Sequence, residues 1–178
     1  MQKSFLNVYE RPAASVLENA QTLGFMAMIM GRSAAHQRYP QAFLSNMLSH
    51  ALLQKTIKIY VDCDGNPVGY VVWAYLESST EQRILRTDNI LLDRTEWNEG
   101  DSLWIIDLAA PSGHIDYILR DLRDKVFKDE HRLRYFRLKG GRKVFKETSR
   151  SCCSYFFRPP QQAPTVCRCG NADCPEAD

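Results

Sequence analysis

No run of about eighteen apolar residues occurs in this 178-residue chain, so no segment reads as a membrane-crossing helix. The opening Met-Gln-Lys-Ser-Phe-Leu-Asn-Val-Tyr-Glu is too mixed for the apolar stretch of a secretion signal. Net charge is nearly absent: 23 Lys and Arg face 21 Asp and Glu, a formal +2. A whole-surface attraction to nucleic acid or to an acidic membrane is thereby excluded, and any electrostatic partner must be read by a local patch. Cysteine is scarce where a disulfide framework would need it. Cys63 stands alone, and the other five of the six fall beyond residue 150. Small secreted domains spread their cysteines through the fold, so oxidised export is disfavoured and a cytoplasmic location is expected. Internal repeats are also missing.

What is present suffices for one domain. The chain is 44% apolar and 25% charged, and a chain of this length buries roughly two-thirds of its unfolded surface without staples. From Pro159 onward it reads Pro-Pro-Gln-Gln-Ala-Pro and then Cys-Arg-Cys-Gly-Asn-Ala-Asp-Cys-Pro, a composition that cannot build a core. We therefore expect a domain over residues 1–158 and a tail over 159–178.

Leu17, Leu23, Met26, Ile29 and Met30 recur at helical spacing and predict a first helix ending near Gly31. Pro40 stands where a second helix would begin, with Phe43, Leu44, Met47, Leu48, Ala51 and Leu52 as its apolar stripe. The period then falls to two at Ile57, Ile59 and Val61, and Asp64-Gly65-Asn66-Pro67 marks a hairpin turn. Residues 68–76 form a nearly continuous apolar strand, suited to a position covered on both faces. Residues 81–92 are mixed and carry no clear period. A buried strand over 103–109 follows, broken by Pro111-Ser112-Gly113, then a helix marked by Ile115, Ile118, Leu119, Leu122 and Val126. A second hairpin is expected around Gly140-Gly141. This order points to a mixed α/β sandwich.

Asp107 interrupts the apolar run Trp104-Ile105-Ile106-Asp107-Leu108. An acid there is either a strand-end group bonding the following turn, or a desolvated group that needs a partner. In the second case it would hold a histidine in one tautomer and stabilise its protonated form. Four histidines compete. His50 lies late in a helix and His131 in a polar linker, where solvated or capping roles suit them. His114 is close to Asp107 in sequence. His36 has Ser33 three residues before it, which brings a hydroxyl and an imidazole to one side if the stretch is helical.

Three blocks carry a resemblance: Leu23-Gly24 leading to Ser33-x-x-His36-x-x-x-Pro40; Gly65-x-Pro67-Val68-Gly69-Tyr70-Val71-x-Trp73-Ala74; and Trp97-x-x-Gly100-Asp101-x-Leu103-Trp104-Ile105-Ile106-Asp107-x-x-Ala110-Pro111-x-Gly113. In order and approximate spacing, over about residues 20–147, the chain resembles the toxin-activating lysine acyltransferases, which fatty-acylate internal lysines of RTX cytolysins from acyl carrier protein. The resemblance implies a Gcn5-related N-acetyltransferase-like fold, a mixed sheet flanked by helices. It implies His36 and Asp107 as the catalytic pair with Ser33 in the site, a protoxin as acceptor, and a homodimer. No resident cofactor is expected, since the 4'-phosphopantetheine thioester of the acyl carrier protein is a co-substrate. Ser112 replaces the aromatic residue common in the family between Pro111 and Gly113.

Direct transfer requires a base near neutral pKa, because at neutral pH only about one lysine in a few thousand is a free amine. The expected base is His36, oriented by Asp107. Ser33 as an acylated nucleophile is the alternative. Donors of the Ala110-Pro111-Ser112-Gly113 turn and of the next helix N-terminus would steady the oxyanion or a phosphate. Residues 132–146 hold seven Lys or Arg and no acid, so Arg134, Arg137 and Arg142 are expected to dock the acidic carrier protein. No Gly-rich pyrophosphate loop follows Asp107, in keeping with a carrier-bound arm rather than coenzyme A.

Two further readings stand beside this one: acyl transfer to a small amine, and a nucleic-acid-binding module built on the basic hairpin. The tail's Cys167-x-Cys169 and Cys174 supply three thiolates, one short of a tetrahedral zinc set unless Cys152 or Cys153 joins. Zinc is the weaker reading of that tail; no metal is expected in the site.

Overall fold

The computed structural model describes residues 14–40, 43–87, 89–139, 142–152 and 156–157. The cysteine tail, with its zinc reading, lies outside them. In chain order come α1 (Ala14–Arg32), a π-helical stretch (Phe43–Leu48) running into a short α2 (Ser49–Leu53), β1 (Ile57–Val61), β2 (Pro67–Leu76) and α3 (Ser78–Thr87). Then follow β3 (Ser102–Ala109), α4 (Ile115–Asp121) extended by a π turn (Leu122–Val126), β4 (Arg132–Lys139) and β5 (Arg142–Ser149). Among these residues no helix is long and apolar enough to cross a membrane.

The sheet is mixed, in the order β1-β2-β3-β4-β5. All neighbours are antiparallel except β3 and β4, which run parallel because α4 carries the chain back between them. One face packs against α1, the π-helical stretch, α2 and α3 through Met26, Ile29, Met47, Leu48 and Ile84. The other packs against α4 through Val71, Ile105, Ile118 and Leu122. The fold is thus the mixed sheet with flanking helices that the resemblance implied.

Three details depart from the sequence reading. The second helix is not a regular helix from Pro40. Its pattern is real, with Phe43, Met47, Leu48 and Ala51 buried, but most of it is wound in the wider π form. The periodless stretch 81–92 contains most of α3, whose only buried side chains are Thr80 and Ile84, too brief a stripe to show a period. The helix over 115–126 breaks into an α segment and a π turn.

Gly69 and Gly100 allow two close approaches. A Cβ at position 69 would meet Ile118 Cδ1 and the Ala109 carbonyl oxygen, and one at position 100 would meet the Leu76 carbonyl. Both lie in the blocks that carry the resemblance.

The segment between α3 and β3 is tied down by Glu96. Its carboxylate accepts both arms of the Arg83 guanidinium (3.0 and 2.6 Å) and the Asp93 amide (2.8 Å). Arg83 also donates to the carbonyls of Asn89 (3.4 Å) and Leu91 (3.1 Å). Burial pushes the Glu96 carboxyl up, but the Asp93 amide and Arg83 outweigh it and hold its pKa below the ordinary value. A depressed folded-state pKa stabilises the fold above the unfolded value and loses that contribution as pH falls through the folded one. Glu96→Gln should therefore lower stability near neutrality by about 1–3 kcal/mol. Urea midpoints of variant and wild type should converge below about pH 4; a difference that persists in acid would show that the charge is not its source.

Candidate active site

Asp107 owes its orientation to a β-bulge. In the β2–β3 ladder Val72 faces Asp107 and Trp73 faces Ile105, so Ile106 is an extra residue on β3. Strict alternation from Trp104, which packs toward α1, would send Asp107 toward α4 with Ile105. The bulge resets the phase, and Ile106 and Asp107 both point to the α1 face.

On that face α1 ends and the chain turns back. Ser33 accepts the backbone amides of His36 (2.9 Å) and Gln37 (3.0 Å) on its carbonyl. These are successive turns rather than a continued helix, yet the i, i+3 relation still brings the two side chains together. The Ser33 hydroxyl lies 2.6 Å from His36 Nδ1, and His36 Nε2 lies 2.9 Å from Asp107 Oδ1. His36 and Asp107 are each only 8% exposed at the side chain. Of the four histidines, then, His36 is the partner of Asp107. His114 instead stands at the N-cap of α4, its Nδ1 buried without a hydrogen-bond partner.

Tyr70 was missed by the sequence reading. From β2, on the same face, its hydroxyl donates to Asp107 Oδ2 at 2.5 Å. Burial first, then the Asp107 charge and this hydrogen bond, push the Tyr70 phenol far above its ordinary pKa, so it remains a donor. The aromatic residue was in view within the second block, but only the bulged register shows that it reaches the acid. Tyr39 completes the enclosure, its ring 4.9 Å from that of His36. Its phenol is pushed up by burial and then by Asp107.

The carboxylate therefore takes a proton donor on each oxygen. With Nε2–H directed at Asp107, the neutral imidazole leaves Nδ1 as the acceptor for the Ser33 hydroxyl. In that tautomer the ring's lone pair is at Nδ1.

Beside this chain of groups the sheet opens. β3 and β4 pair only at Trp104–Arg134 and Ile105–Tyr135, against eight pairs between β4 and β5. Beyond Ile105 the strands part around a cavity of about 580 Å3, whose wall includes His36, Tyr39, Ile106, Asp107, Phe136 and Arg137. Pro111, Ser112 and Gly113 form an exposed turn and are not on that wall.

The basic hairpin divides. Arg134 is held at the closed end of the strand pair. It donates to Glu81 (2.8 Å) and Glu147 (2.8 Å), while Glu81 also accepts the Trp104 indole N–H (2.6 Å). Far from waiting for an acidic partner, Arg134 is a tie between β4, α3 and β5. Arg137 is exposed at the cavity wall, joined there by Lys143. The Arg142 side chain lies outside the described residues.

Residues 15–148 match the RTX toxin acyltransferase family, three-quarters of the chain with the whole Ser33–His36–Asp107 system inside. The chain belongs to that family. It is 29% identical to the Synechocystis protein sll0720 over 146 residues, 80% of this chain and 98% of that one. It is 31% identical over 104 residues to the RTX-II toxin-activating lysine-acyltransferase ApxIIC of Actinobacillus pleuropneumoniae, covering 58% of this chain and 63% of the relative. It is also 31% identical over 113 residues to the protein-lysine myristoyltransferase RtxC of Kingella kingae, covering 64% and 66%. The matches thus span somewhat under two thirds of those two acyltransferases. Within this family member Tyr70 is a natural variant to make: Tyr70→Phe leaves a buried carboxylate one donor short, and stability near neutrality should fall by about 1–3 kcal/mol in urea unfolding. An unchanged midpoint would mean that water replaces the hydroxyl.

Proposed function

We propose that this protein is a lysine acyltransferase that moves a fatty acyl group from acyl carrier protein to internal lysines of a protoxin. One observation carries the reading: a Ser33–His36–Asp107 hydrogen-bonded chain, its histidine and acid buried on the wall of an open sheet, in a member of the RTX toxin acyltransferase family. The facing edges of β3 and β4 beyond Ile105 share no ladder among the described residues. Their backbone N–H and C=O groups suit the amides of a phosphopantetheine arm. Arg137 stands at the wall with the charge that an acidic carrier would meet.

In this scheme the acceptor amine attacks the thioester carbonyl carbon, forming the C–N bond and an oxyanion. His36 takes the amine proton at Nδ1, either as Ser33 moves aside or through the Ser33 hydroxyl, which gives its own proton to Nδ1 and accepts the amine's. Asp107, fixed by Tyr70, offsets the imidazolium charge. Collapse breaks the C–S bond, and the imidazolium returns the proton to the departing thiolate. The 2.6 Å contact between Ser33 Oγ and Nδ1 also favours a second reading, in which Ser33 is acylated first and the lysine attacks the resulting ester.

The test is incubation with acyl-loaded carrier protein and a lysine-bearing protoxin fragment, read by intact mass as a fatty-acyl increment. His36→Ala should cost about 10²–10⁴ in rate, and full activity in that variant would overturn both schemes. Ser33→Ala should retain measurable transfer; complete loss, with acyl-Ser33 trapped in the wild type, would select the second reading. Arg137→Glu should raise KM for the carrier several-fold at low salt with kcat unchanged, and the effect should fade as salt rises. A KM equal to wild type at every salt would remove Arg137 from the dock.

A further inference from the structure

The turn over residues 110–113 is not on the cavity wall, which leaves the oxyanion of the proposed transfer without the donors the sequence offered it. Apart from His36, the side-chain donors on the wall among the described residues are those of Tyr39, Tyr135, Arg137 and Lys143. Tyr135 packs with the α4-side cluster, and Arg137 and Lys143 are exposed cations. Tyr39 has its ring against His36, with 4.9 Å between centroids.

The chain path puts it there. His36 gives its amide to the Ser33 carbonyl (2.9 Å), and Tyr39 gives its amide to the His36 carbonyl (2.9 Å). Tight turns that close over three residues set side chains at i and i+3 above one another, so Ser33, His36 and Tyr39 share one side of the segment. Phe43, buried in the core, meets the Tyr39 ring edge-on at 4.7 Å. The ring is thus held by packing, while its hydroxyl makes no hydrogen bond among the described residues. Burial first, then the Asp107 charge, push this phenol above its ordinary pKa, which keeps the O–H a donor through the neutral range.

Resting on the acyl-transfer reading above, we infer that Tyr39 is a catalytic residue whose hydroxyl donates a hydrogen bond to the oxyanion of the tetrahedral intermediate. As the amine attacks, the carbonyl π pair moves onto oxygen beside His36, and the Tyr39 O–H bonds to it while keeping its proton. On collapse the pair re-forms C=O as the C–S bond breaks, and the phenol is unchanged. A neutral donor suits the place, because Asp107 already puts one negative charge next to the imidazole and a second would be resisted without a partner. The hydrogen bond strengthens as charge develops, so its contribution falls on kcat and not on carrier binding.

The experiment follows transfer from acyl-loaded carrier protein to the protoxin fragment by wild type and Tyr39→Phe, which keeps the ring and its packing. No transfer by the wild type would overturn the acyltransferase reading and this inference with it. Given wild-type transfer, Tyr39→Phe should lose about 10²-fold in kcat, with KM for the carrier within about threefold. A kcat loss of less than about tenfold, or a loss carried by KM, would overturn the oxyanion role alone. The urea midpoint of Tyr39→Phe should equal that of wild type; a lower one would mean that the hydroxyl is already engaged in the fold, and would also overturn it. A second variant keeps the hydroxyl and changes only its acidity: difluorotyrosine at position 39, whose phenol ionises at lower pH. The ratio of its kcat to that of wild type should fall as pH rises from about 7 to about 10, because an ionised phenol cannot donate. A ratio constant across that range would overturn the inference.

Discussion

A carboxylate stripped of most of its water must be paid back in hydrogen bonds, and the requirement at Asp107 organises the centre of this protein. Its two oxygens are taken by His36 Nε2 and the Tyr70 hydroxyl. These groups come from three parts of the chain: the turns after α1, strand β2 and strand β3. Each has to be placed for the sake of the acid. The bulge at Ile106 swings Asp107 to the α1 face, the end of α1 sets Ser33 and His36 above it, and Tyr70 reaches it from two positions along the neighbouring strand. Because both carboxylate oxygens are engaged, the imidazole is held in one orientation, with Nε2 toward Asp107 and Nδ1 toward Ser33.

The second constraint lies in the β3–β4 pair, closed at one end and open at the other. At the closed end Arg134 and Trp104 share the Glu81 carboxylate, while Arg134 also holds Glu147, and Trp104 packs near Phe136 and Phe145. At the open end no ladder crosses, and the space goes to the cavity. A parallel pair joined through a helix has no tight turn to zip it along its length, so firm anchoring at one end permits separation at the other. This explains why a residue in the middle of a basic run is structural. Arg134 looked like surface charge because its acidic partners, Glu81 and Glu147, lie 53 and 13 residues away; Arg137 and Lys143, nearer the open end, keep exposed positions at the wall.

Much of the architecture was legible beforehand. The β1–β2 hairpin is where Asp64-Gly65-Asn66 put it, with Gly65 at φ +80° and Asp62 accepting the Asn66 amide. The continuous apolar strand over 68–76 is the sheet's buried β2. The pairing of His36 with Asp107 was reached through a resemblance, and from the residues alone His114 competed with it. What escaped has a common cause. α3 buries two side chains, and the π-helical stretch over 43–48 shares its apolar spacing with an ordinary helix, so neither leaves a distinctive period in the chain.

By itself, then, the sequence determined the alternation of helical and extended segments, the hairpin turns, the acid in an apolar strand and the serine three residues before a histidine. These are local properties, written in periodicity and in backbone preference. The tertiary structure alone decided which face Asp107 looks toward, since a single inserted residue reverses every side chain beyond it. It alone decided that Tyr70 completes the carboxylate's hydrogen bonds, that Arg134 is a tie, and that the sheet opens past Ile105. Each of these depends on distances between residues far apart in the chain, and such distances exist only once the strands have paired.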